Sequence, residues 1–210
     1  MIGTGRAEAP PLDWPDMPGL DYKTFNLGDT EAHHGFIRDI KKESGPLYGL
    51  VNNAALGMDG ILATMHERDI ATLINANIMG TIILTKYAMR TMLPAYEGRI
   101  VNIASIIATT GFSGLSVYGA TKSALLGFTR SLAREVGKAN ITVNAVSPGY
   151  MRTDMSAGIN EEDLSRIQRR SPLNRLAEPK DVAGVVLLLL SESGRNMTGL
   201  DIKVDAGSTI

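Results

Sequence analysis

The chain has 210 residues, of which 44% are hydrophobic and 20% charged, a composition that suits one globular domain with a sizeable core. Its net charge of −1 gives no sign of a nucleic-acid-binding or membrane-binding surface. The absence of cysteine excludes disulfides, thiolate metal ligands and a cysteine nucleophile, and it favours a cytoplasmic location.

Apolar runs and turn residues predict strands and helices that alternate along the chain. Strands are predicted at residues 1–5, 22–27, 47–51, 99–104, 141–146 and 202–204, and helices at about 30–42, 67–93, 117–136 and 179–190. Residues 151–172 are polar and charged, and we expect them to form a loop that covers the site. The longest apolar run, 182–190, is shorter than the ~18 residues of a membrane span, so a buried helix is predicted there.

This alternation, with strands that are apolar on both faces, is typical of a doubly wound parallel sheet. We therefore predict a Rossmann-like, three-layer α/β/α fold. Ligands of such sheets bind at the carboxyl ends of the strands. Because Asn53, Ser105 and Ser147 each follow or end a predicted strand, we expect all three at one edge of the sheet.

Tyr118 and Lys122 are one turn apart in a predicted helix, so both side chains lie on one helix face. A nearby ammonium group favours the phenolate, and a lowered Tyr118 pKa is expected. A hydroxyl at Ser105 can hydrogen-bond the same oxygen that Tyr118 protonates. The three residues predict a site that reduces a carbonyl or oxidises an alcohol. The alternative is a surface pair on an exposed helix, with Ser105 as a helix cap.

The histidines are His33, His34 and His66. The first two are adjacent and point apart on a helix, and the third is remote in sequence. Solvated or capping side chains are therefore the favoured interpretation, and no metal site is predicted.

Several motifs, in order along the chain, resemble those of the short-chain dehydrogenase/reductase family, and within it the 3-oxoacyl-(acyl-carrier-protein) reductases. The resemblance covers residues 1–210 and implies one domain. Its motifs are Asn52-Asn53-Ala54-Ala55, Asn77 within residues 75–80, Ser105, Tyr118 with Lys122, Asn144-Ala145-Val146-Ser147-Pro148-Gly149 with Thr153, and Thr198-Gly199 with Val204-Asp205-Ala206-Gly207.

The resemblance implies a role for each residue of the site. Tyr118 would be the general acid, and Ser105 would hold and stabilise the carbonyl oxygen. Lys122 would lower the Tyr118 pKa and bind the nicotinamide ribose, while Asn77 would hold a water that relays protons to Lys122. For Asn77 alone, a buried polar residue that satisfies backbone groups is the alternative.

The resemblance also implies a dinucleotide site. Its cofactor-binding residues would be Arg6, Asn26, Leu27, Asn53, Ala54, Tyr118, Lys122, Pro148, Gly149 and Thr153. Arg6 directly follows the first predicted strand, where a basic residue pairs with the 2′-phosphate of NADP, so NADP(H) is favoured over NAD(H). The alternative is a solvated Arg6.

The family's opening strand, its Thr-Gly-x-x-x-Gly-x-Gly turn and the helix that follows have no counterpart in the sequence. We therefore expect an N-terminally incomplete sheet that starts at the second strand. In the order 3-2-1-4-5-6 the absent strand lies between the second and the fourth. Either the second strand moves over to pair with the fourth, or the N-terminal part packs irregularly. A shortened reading of a longer protein and a naturally reduced family member both fit this pattern.

Two functions follow. The first is an NADP(H)-dependent oxidoreductase that reduces a 3-oxoacyl thioester or a simple ketone to a secondary alcohol. The second is a non-catalytic scaffold or assembly partner with weak or no dinucleotide binding. A sugar-nucleotide epimerase is disfavoured because the chain ends soon after the last predicted strand. The resemblance further implies a homodimer or homotetramer that pairs through helices at 79–92 and 118–136.

Overall fold

The computed structural model describes residues 1–11, 14–153 and 161–210. The strands are β1 (Ile2–Gly5), β2 (Asp21–Thr24), β3 (Gly49–Asn52), β4 (Gly98–Ile103), β5 (Ile141–Pro148) and β6 (Asp201–Val204). The helices are α1 (Ala32–Ser44), α2 (Glu67–Ile74), α3 (Thr81–Met92), α4 (Ile107–Thr110), α5 (Ser116–Val136), α6 (Glu161–Arg170) and α7 (Pro179–Leu190). Within these described ranges, no helix is long and apolar enough to cross a membrane.

Every strand pair described is parallel, as the sequence predicts. One sheet has the order β3-β4-β5-β6, and a second sheet contains β1 and β2. In the larger sheet Val51 lies opposite Val101, which in turn lies opposite Asn144. Because the strands run in one direction, the segments that follow β3, β4 and β5 meet at one edge.

Helices cover both faces of the larger sheet, which confirms the predicted three-layer architecture. On one face, Ile100 of β4 packs in a buried cluster with Met92 of α3 and Leu132 of α5. On the other face, the next residue of β4, Val101, packs with Val182 and the rest of the inner side of α7. Successive side chains of a strand point to opposite faces, so β4 is apolar on both.

The two sheets are separate at the position where the sequence analysis places the absent strand. The carbonyls of Met1 and Gly5 accept hydrogen bonds from the β2 segment. Backbone groups alternate in direction along a strand, so Ile2 and Thr4 present theirs on the other edge of β1. No ladder joins β1 to another described strand on that edge.

The facing strand of the larger sheet is open in the same way. The carbonyl of Tyr48 accepts a hydrogen bond from Arg99 at the start of β4. Gly49 and Val51 therefore direct their backbone groups to the unpaired edge of β3, and the Val51 residue is 37% exposed. Ordinary central strands of a parallel sheet are buried, so the exposure of Val51 is a consequence of the division.

Of the two alternatives for the N-terminal part, movement of the first strand onto the larger sheet does not occur. β1 keeps a regular four-residue ladder with β2. The exit of β2 is held by a cluster in which Phe25 packs with Ile37 of α1 and Leu84 of α3, with Leu50 of β3 against it. This apolar core fixes the small sheet beside the large one without backbone pairing between them.

The long helical stretch predicted at 67–93 is confirmed, with a π-helical turn, Asn75–Gly80, between α2 and α3 that was not predicted. Two other local predictions were wrong. The predicted loop at 151–172 contains α6, while residues 154–160 lie outside the described part of the chain. His33 is fully buried instead of solvated, because it lies in the first turn of α1 on the side that faces the β2 exit, where its Nε2 bonds the Leu27 carbonyl and its ring lies against Phe25.

Candidate active site

The carboxyl edge of the larger sheet collects the predicted catalytic residues. Ser105 follows β4, and its Oγ accepts a hydrogen bond from the Ile107 N–H at 3.2 Å. Tyr118 and Lys122 lie in the first two turns of α5, on the face directed to that edge. Helical spacing places the last two side chains together, and the parallel sheet adds Ser105 to them.

The Ser105 hydroxyl lies close enough to the Tyr118 phenol to lower its pKa. The pKa of Tyr118 is nevertheless raised, because burial of the phenol outweighs the effect of Ser105, and the nearby Tyr150 raises it further. The expectation of a lowered pKa was therefore wrong. The physical reason is desolvation, which favours the neutral phenol. In addition, the Lys122 ammonium group donates its hydrogen bond to the Ile103 carbonyl.

Lys122 is 3% exposed. Its Nζ donates a hydrogen bond to the Ile103 carbonyl at 2.8 Å and lies 5.7 Å from the centroid of the Tyr118 ring. Burial lowers the pKa of Lys122 to about 8. At neutral pH the side chain thus remains mainly an ammonium group at the end of β4, beside the phenol.

Asn77 lies in the π-helical turn, a type of irregularity that is frequent at functional sites. Its Oδ1 accepts from the Leu56 N–H at 2.8 Å, and its Nδ2 donates to the Leu56 carbonyl at 2.9 Å and to Thr121 Oγ1 at 3.2 Å. Both amide hydrogens are used, so only the second lone pair of Oδ1 is left for a water. Asn77 thereby ties the segment after β3 to α5, next to Lys122. The water relay stays a prediction.

A buried amide network, which the sequence analysis missed, lies beneath the site. Asn52 Nδ2 donates to Asn102 Oδ1 at 2.8 Å and to Thr85 Oγ1 at 2.9 Å, and Asn102 Nδ2 donates to Thr129 Oγ1 at 2.8 Å. These bonds connect β3, β4, α3 and α5. The signal in the sequence was the polar Asn102 within the otherwise apolar run 100–103 that leads to Ser105.

The predicted adenine-side residues lie at strand exits. Arg6 is exposed directly after β1. Asn26 is exposed, and its Oδ1 accepts from the Gly28 N–H at 3.1 Å, which stabilises the turn after β2. Leu27 packs its side chain against the cluster around Phe25. The structure does not bring these three residues to the Ser105 and Tyr118 group, because they belong to the smaller sheet.

The predicted nicotinamide-side residues follow β3 and β5. Asn53 and Ala54 are exposed after β3. The Pro148 carbonyl accepts from the Ile106 N–H at 3.0 Å, so the end of β5 is bonded directly to the Ser105 segment. A Cβ at Gly149 would lie 2.8 Å from Asp205 Cα, hence glycine is required for packing against the end of β6. Thr153 is exposed and is the last residue described before the gap at 154–160.

The two ends of a dinucleotide site fit unequally. The buried lysine, the phenol and the Pro148-Gly149 segment converge at one edge, as a nicotinamide riboside requires. A pyrophosphate group is ordinarily held by a glycine-rich turn that leads into a helix N-terminus. The sequence contains no Thr-Gly-x-x-x-Gly-x-Gly turn, and in the described ranges β1 is followed by Arg6 and an irregular segment.

The fold and the paired phenol and hydroxyl define an α/β protein equipped for acid–base chemistry at a carbonyl oxygen. A family model described as enoyl-(acyl carrier protein) reductase matches residues 19–209. The chain is 32% identical over 209 residues to the 3-oxoacyl-(acyl-carrier-protein) reductase FabG of Vibrio cholerae. The matched region covers 99% of this chain and 86% of that protein. The chain belongs to the short-chain dehydrogenase/reductase family of oxidoreductases.

Two other relatives are more similar over shorter stretches. Carbonyl reductase family member 4 of Xenopus laevis is 42% identical over 171 residues, 81% of this chain and 70% of its own. The FabG protein of Aquifex aeolicus, also a 3-oxoacyl-(acyl-carrier-protein) reductase, is 41% identical over 183 residues, 87% of this chain and 74% of its own. The expected resemblance is thus confirmed, and a carbonyl oxidoreductase is the class of enzyme that the comparisons support.

Proposed function

We propose that this chain reduces a 3-oxoacyl thioester or a simple ketone to a secondary alcohol with NADP(H) as cofactor. The observation that carries the proposal is the grouping of Ser105 and Tyr118 beside the buried Lys122, whose Nζ lies 5.7 Å from the centroid of the Tyr118 ring, at the carboxyl edge of the sheet. The names of the 3-oxoacyl reductases and of the carbonyl reductase among its relatives support the substrate class.

The proton chemistry follows from the three side chains. The raised pKa of Tyr118 keeps the phenol protonated at neutral pH, so it is ready to donate to the carbonyl oxygen. Ser105 Oγ already accepts from the Ile107 N–H, so its own hydrogen is available to the same oxygen. That second bond stabilises the charge that develops on the oxygen. The nicotinamide, when bound, supplies the hydride.

In the proposed reaction, Lys122 is the cation beside the phenol. After proton donation Tyr118 carries a negative charge, and an ammonium group in a desolvated site stabilises that charge. Lys122 is also the residue we assign to the nicotinamide ribose. Asn77 supports this arrangement through Thr121, its neighbour in α5.

The preference for NADP(H) rests on Arg6, which is exposed at the exit of β1. A guanidinium group binds a phosphate through two parallel hydrogen bonds. Replacing Arg6 by alanine should raise KM for NADPH while leaving KM for NADH nearly unchanged. Equal effects on both cofactors would remove the basis for the preference.

The test of the reaction is turnover of NADPH with a 3-oxoacyl thioester and with a simple ketone, followed by the absorbance of the reduced nicotinamide. Tyr118→Phe should lower kcat by about 10²–10⁴-fold, the range of one general acid. Tyr96→Phe removes a hydroxyl from an exposed tyrosine and is the matched control. A Tyr118→Phe variant that retained full activity would contradict the assignment.

A second candidate function is a non-catalytic scaffold derived from this family. It is favoured by the divided sheet, which leaves the facing edges of β1 and β3 unpaired. Calorimetry with NADPH separates the two candidates, because micromolar affinity would exclude the scaffold. No measurable affinity, in a chain that melts cooperatively, would exclude the reductase.

We also propose a homodimer or homotetramer in the cytoplasm. Exposed apolar residues along α2, the π-helical turn and α3 support self-association, namely Ile74, Met79 and Ile82. Sedimentation of the wild type and of an Ile82→Glu variant tests this, and a monomeric wild type at micromolar concentration would contradict it.

A further inference from the structure

Two aromatic rings lie beside the candidate active site and have no part in the proton chemistry. Phe112, in the loop between α4 and α5, and Tyr150, directly after Gly149, have ring centroids 6.0 Å apart at an interplanar angle of 65°. This edge-to-face geometry is one that aromatic pairs prefer. Phe112 is 57% exposed, whereas Tyr150 is only partly exposed.

Tyr150 places this pair next to the catalytic phenol. Tyr150 raises the pKa of Tyr118 through its charge, so the two phenols belong to the same neighbourhood. Tyr150 also follows the segment whose Pro148 carbonyl is bonded to Ile106, one residue after Ser105. Tyr150 therefore follows a segment bonded next to Ser105, and the Phe112 ring lies against Tyr150.

The loop that carries Phe112 is held firmly in place. Gly111 and Gly114 have φ angles of 69° and 82°, a conformation that favours glycine and that reverses the chain on either side of Phe112. The Gly60 N–H donates to the Gly114 carbonyl at 2.8 Å, and Ser123 Oγ donates to the Ala108 carbonyl at 2.7 Å. These bonds fasten the loop and α4 to the segment after β3 and to α5.

An exposed phenylalanine on a rigid loop, next to a polar catalytic pair, is a surface for an apolar part of a ligand. We propose that Phe112 and Tyr150 form one wall of the substrate site and select carbonyl substrates that carry a flat or extended apolar group near the carbonyl, over small or hydroxylated ones. This inference rests on the proposed reductase function. It assigns the two rings to substrate specificity rather than to the proton transfer itself.

The test compares two methyl ketones that differ by one phenyl group, butan-2-one and 4-phenylbutan-2-one, with NADPH as reductant. Wild type should have the higher kcat/KM for the phenyl ketone. Phe112→Ala should lower the ratio of the two kcat/KM values by about tenfold, near the upper end of what one aromatic contact contributes. Phe112→Tyr keeps the ring and should restore the wild-type ratio.

Tyr96→Ala, a change of an exposed aromatic residue just before β4 and thus at the opposite edge of the sheet, is the matched control and should leave the ratio unchanged. Thermal melts of the variants show that each is folded. If wild type reduces both ketones and Phe112→Ala has the wild-type ratio, the substrate wall is wrong while the reductase function stands. If folded wild type reduces neither ketone nor a 3-oxoacyl thioester, the reductase function fails and the substrate wall fails with it.

Discussion

Replacing Lys122 with methionine should stabilise the protein at neutral pH. The side chain is 3% exposed, and burial lowers its pKa from 10.5 to about 8. A lysine pKa that is lower in the folded state means that the unfolded state binds more protons between about pH 8 and pH 10.5. Stability therefore rises with pH through this window, and below it the full penalty for the buried ammonium group applies.

The size of this penalty follows from the shift. At pH 7 the buried charge costs about 3 kcal/mol, because one pKa unit corresponds to ~1.4 kcal/mol. At pH 10 most of the lysine is neutral, and the same relation leaves about 1 kcal/mol. Methionine also loses the hydrogen bond from Nζ to the Ile103 carbonyl, which costs about 1 kcal/mol at either pH. The net gain is thus about 2 kcal/mol at pH 7 and near zero at pH 10.

The assay is urea denaturation of wild type and Lys122→Met at pH 7 and pH 10, followed by circular dichroism. Lys42→Met, which removes an exposed lysine from the last turn of α1, controls for the general effect of losing a charge. The reasoning is refuted if the difference in free energy of unfolding between wild type and Lys122→Met is the same at both pH values to within about 0.5 kcal/mol. Under the proposed function, this stabilised variant should also lose reductase activity.

Three other predictions follow from the structure. Ser105→Ala should lower kcat by about 10²–10³-fold. It should also move the alkaline limb of the kcat profile to higher pH, because Ser105 lowers the Tyr118 pKa and its removal lets that pKa rise; an unmoved limb would argue against this interaction. The pKa of His33 is lowered from 6.5 by burial, so wild type should lose stability as the pH falls below about 6.5, and His33→Phe should abolish that loss in acid titrations; equal acid sensitivity would place the effect elsewhere. In hydrogen exchange, the Val51 amide should be far less protected than that of Leu50, its neighbour in β3, and equal protection would mean that the open edge is covered.

The predicted elements that survived are those decided by local pattern. The helix predicted at 179–190 has the same bounds as α7. Its start is set locally, because Pro179 is its first residue and the Asp181 carboxylate accepts a hydrogen bond from the Glu178 N–H at 2.9 Å. The features that were not predicted depend on partners elsewhere in the chain. The π-helical turn forms where Asn77 bonds Leu56, and no periodicity of the helix sequence indicates that bond.

The separation of the two sheets is another feature that the sequence pattern could not predict. The sequence indicated a missing strand, but hydrogen-bonding capacity alone left open whether β1 would move onto β3. The outcome was decided by packing, since the cluster of Phe25, Ile37 and Leu84 holds the end of β2 against α1 and α3. An apolar core that joins the two units leaves the edges of β1 and β3 unpaired.

The sequence by itself determined that Tyr118 and Lys122 share a helix face and that Ser105 follows a strand ending at the same edge, because helical spacing and parallel strand direction are properties of short segments. Only the tertiary structure decided their protonation. Desolvation depends on atoms contributed by β4, α5 and the segment after β5, so the pKa of Tyr118 rises where the sequence suggested a fall, and that of Lys122 falls to about 8. The tertiary fold also brought Tyr150 and Phe112 together, since these residues meet only when the segment after β5 and the loop before α5 pack at one edge.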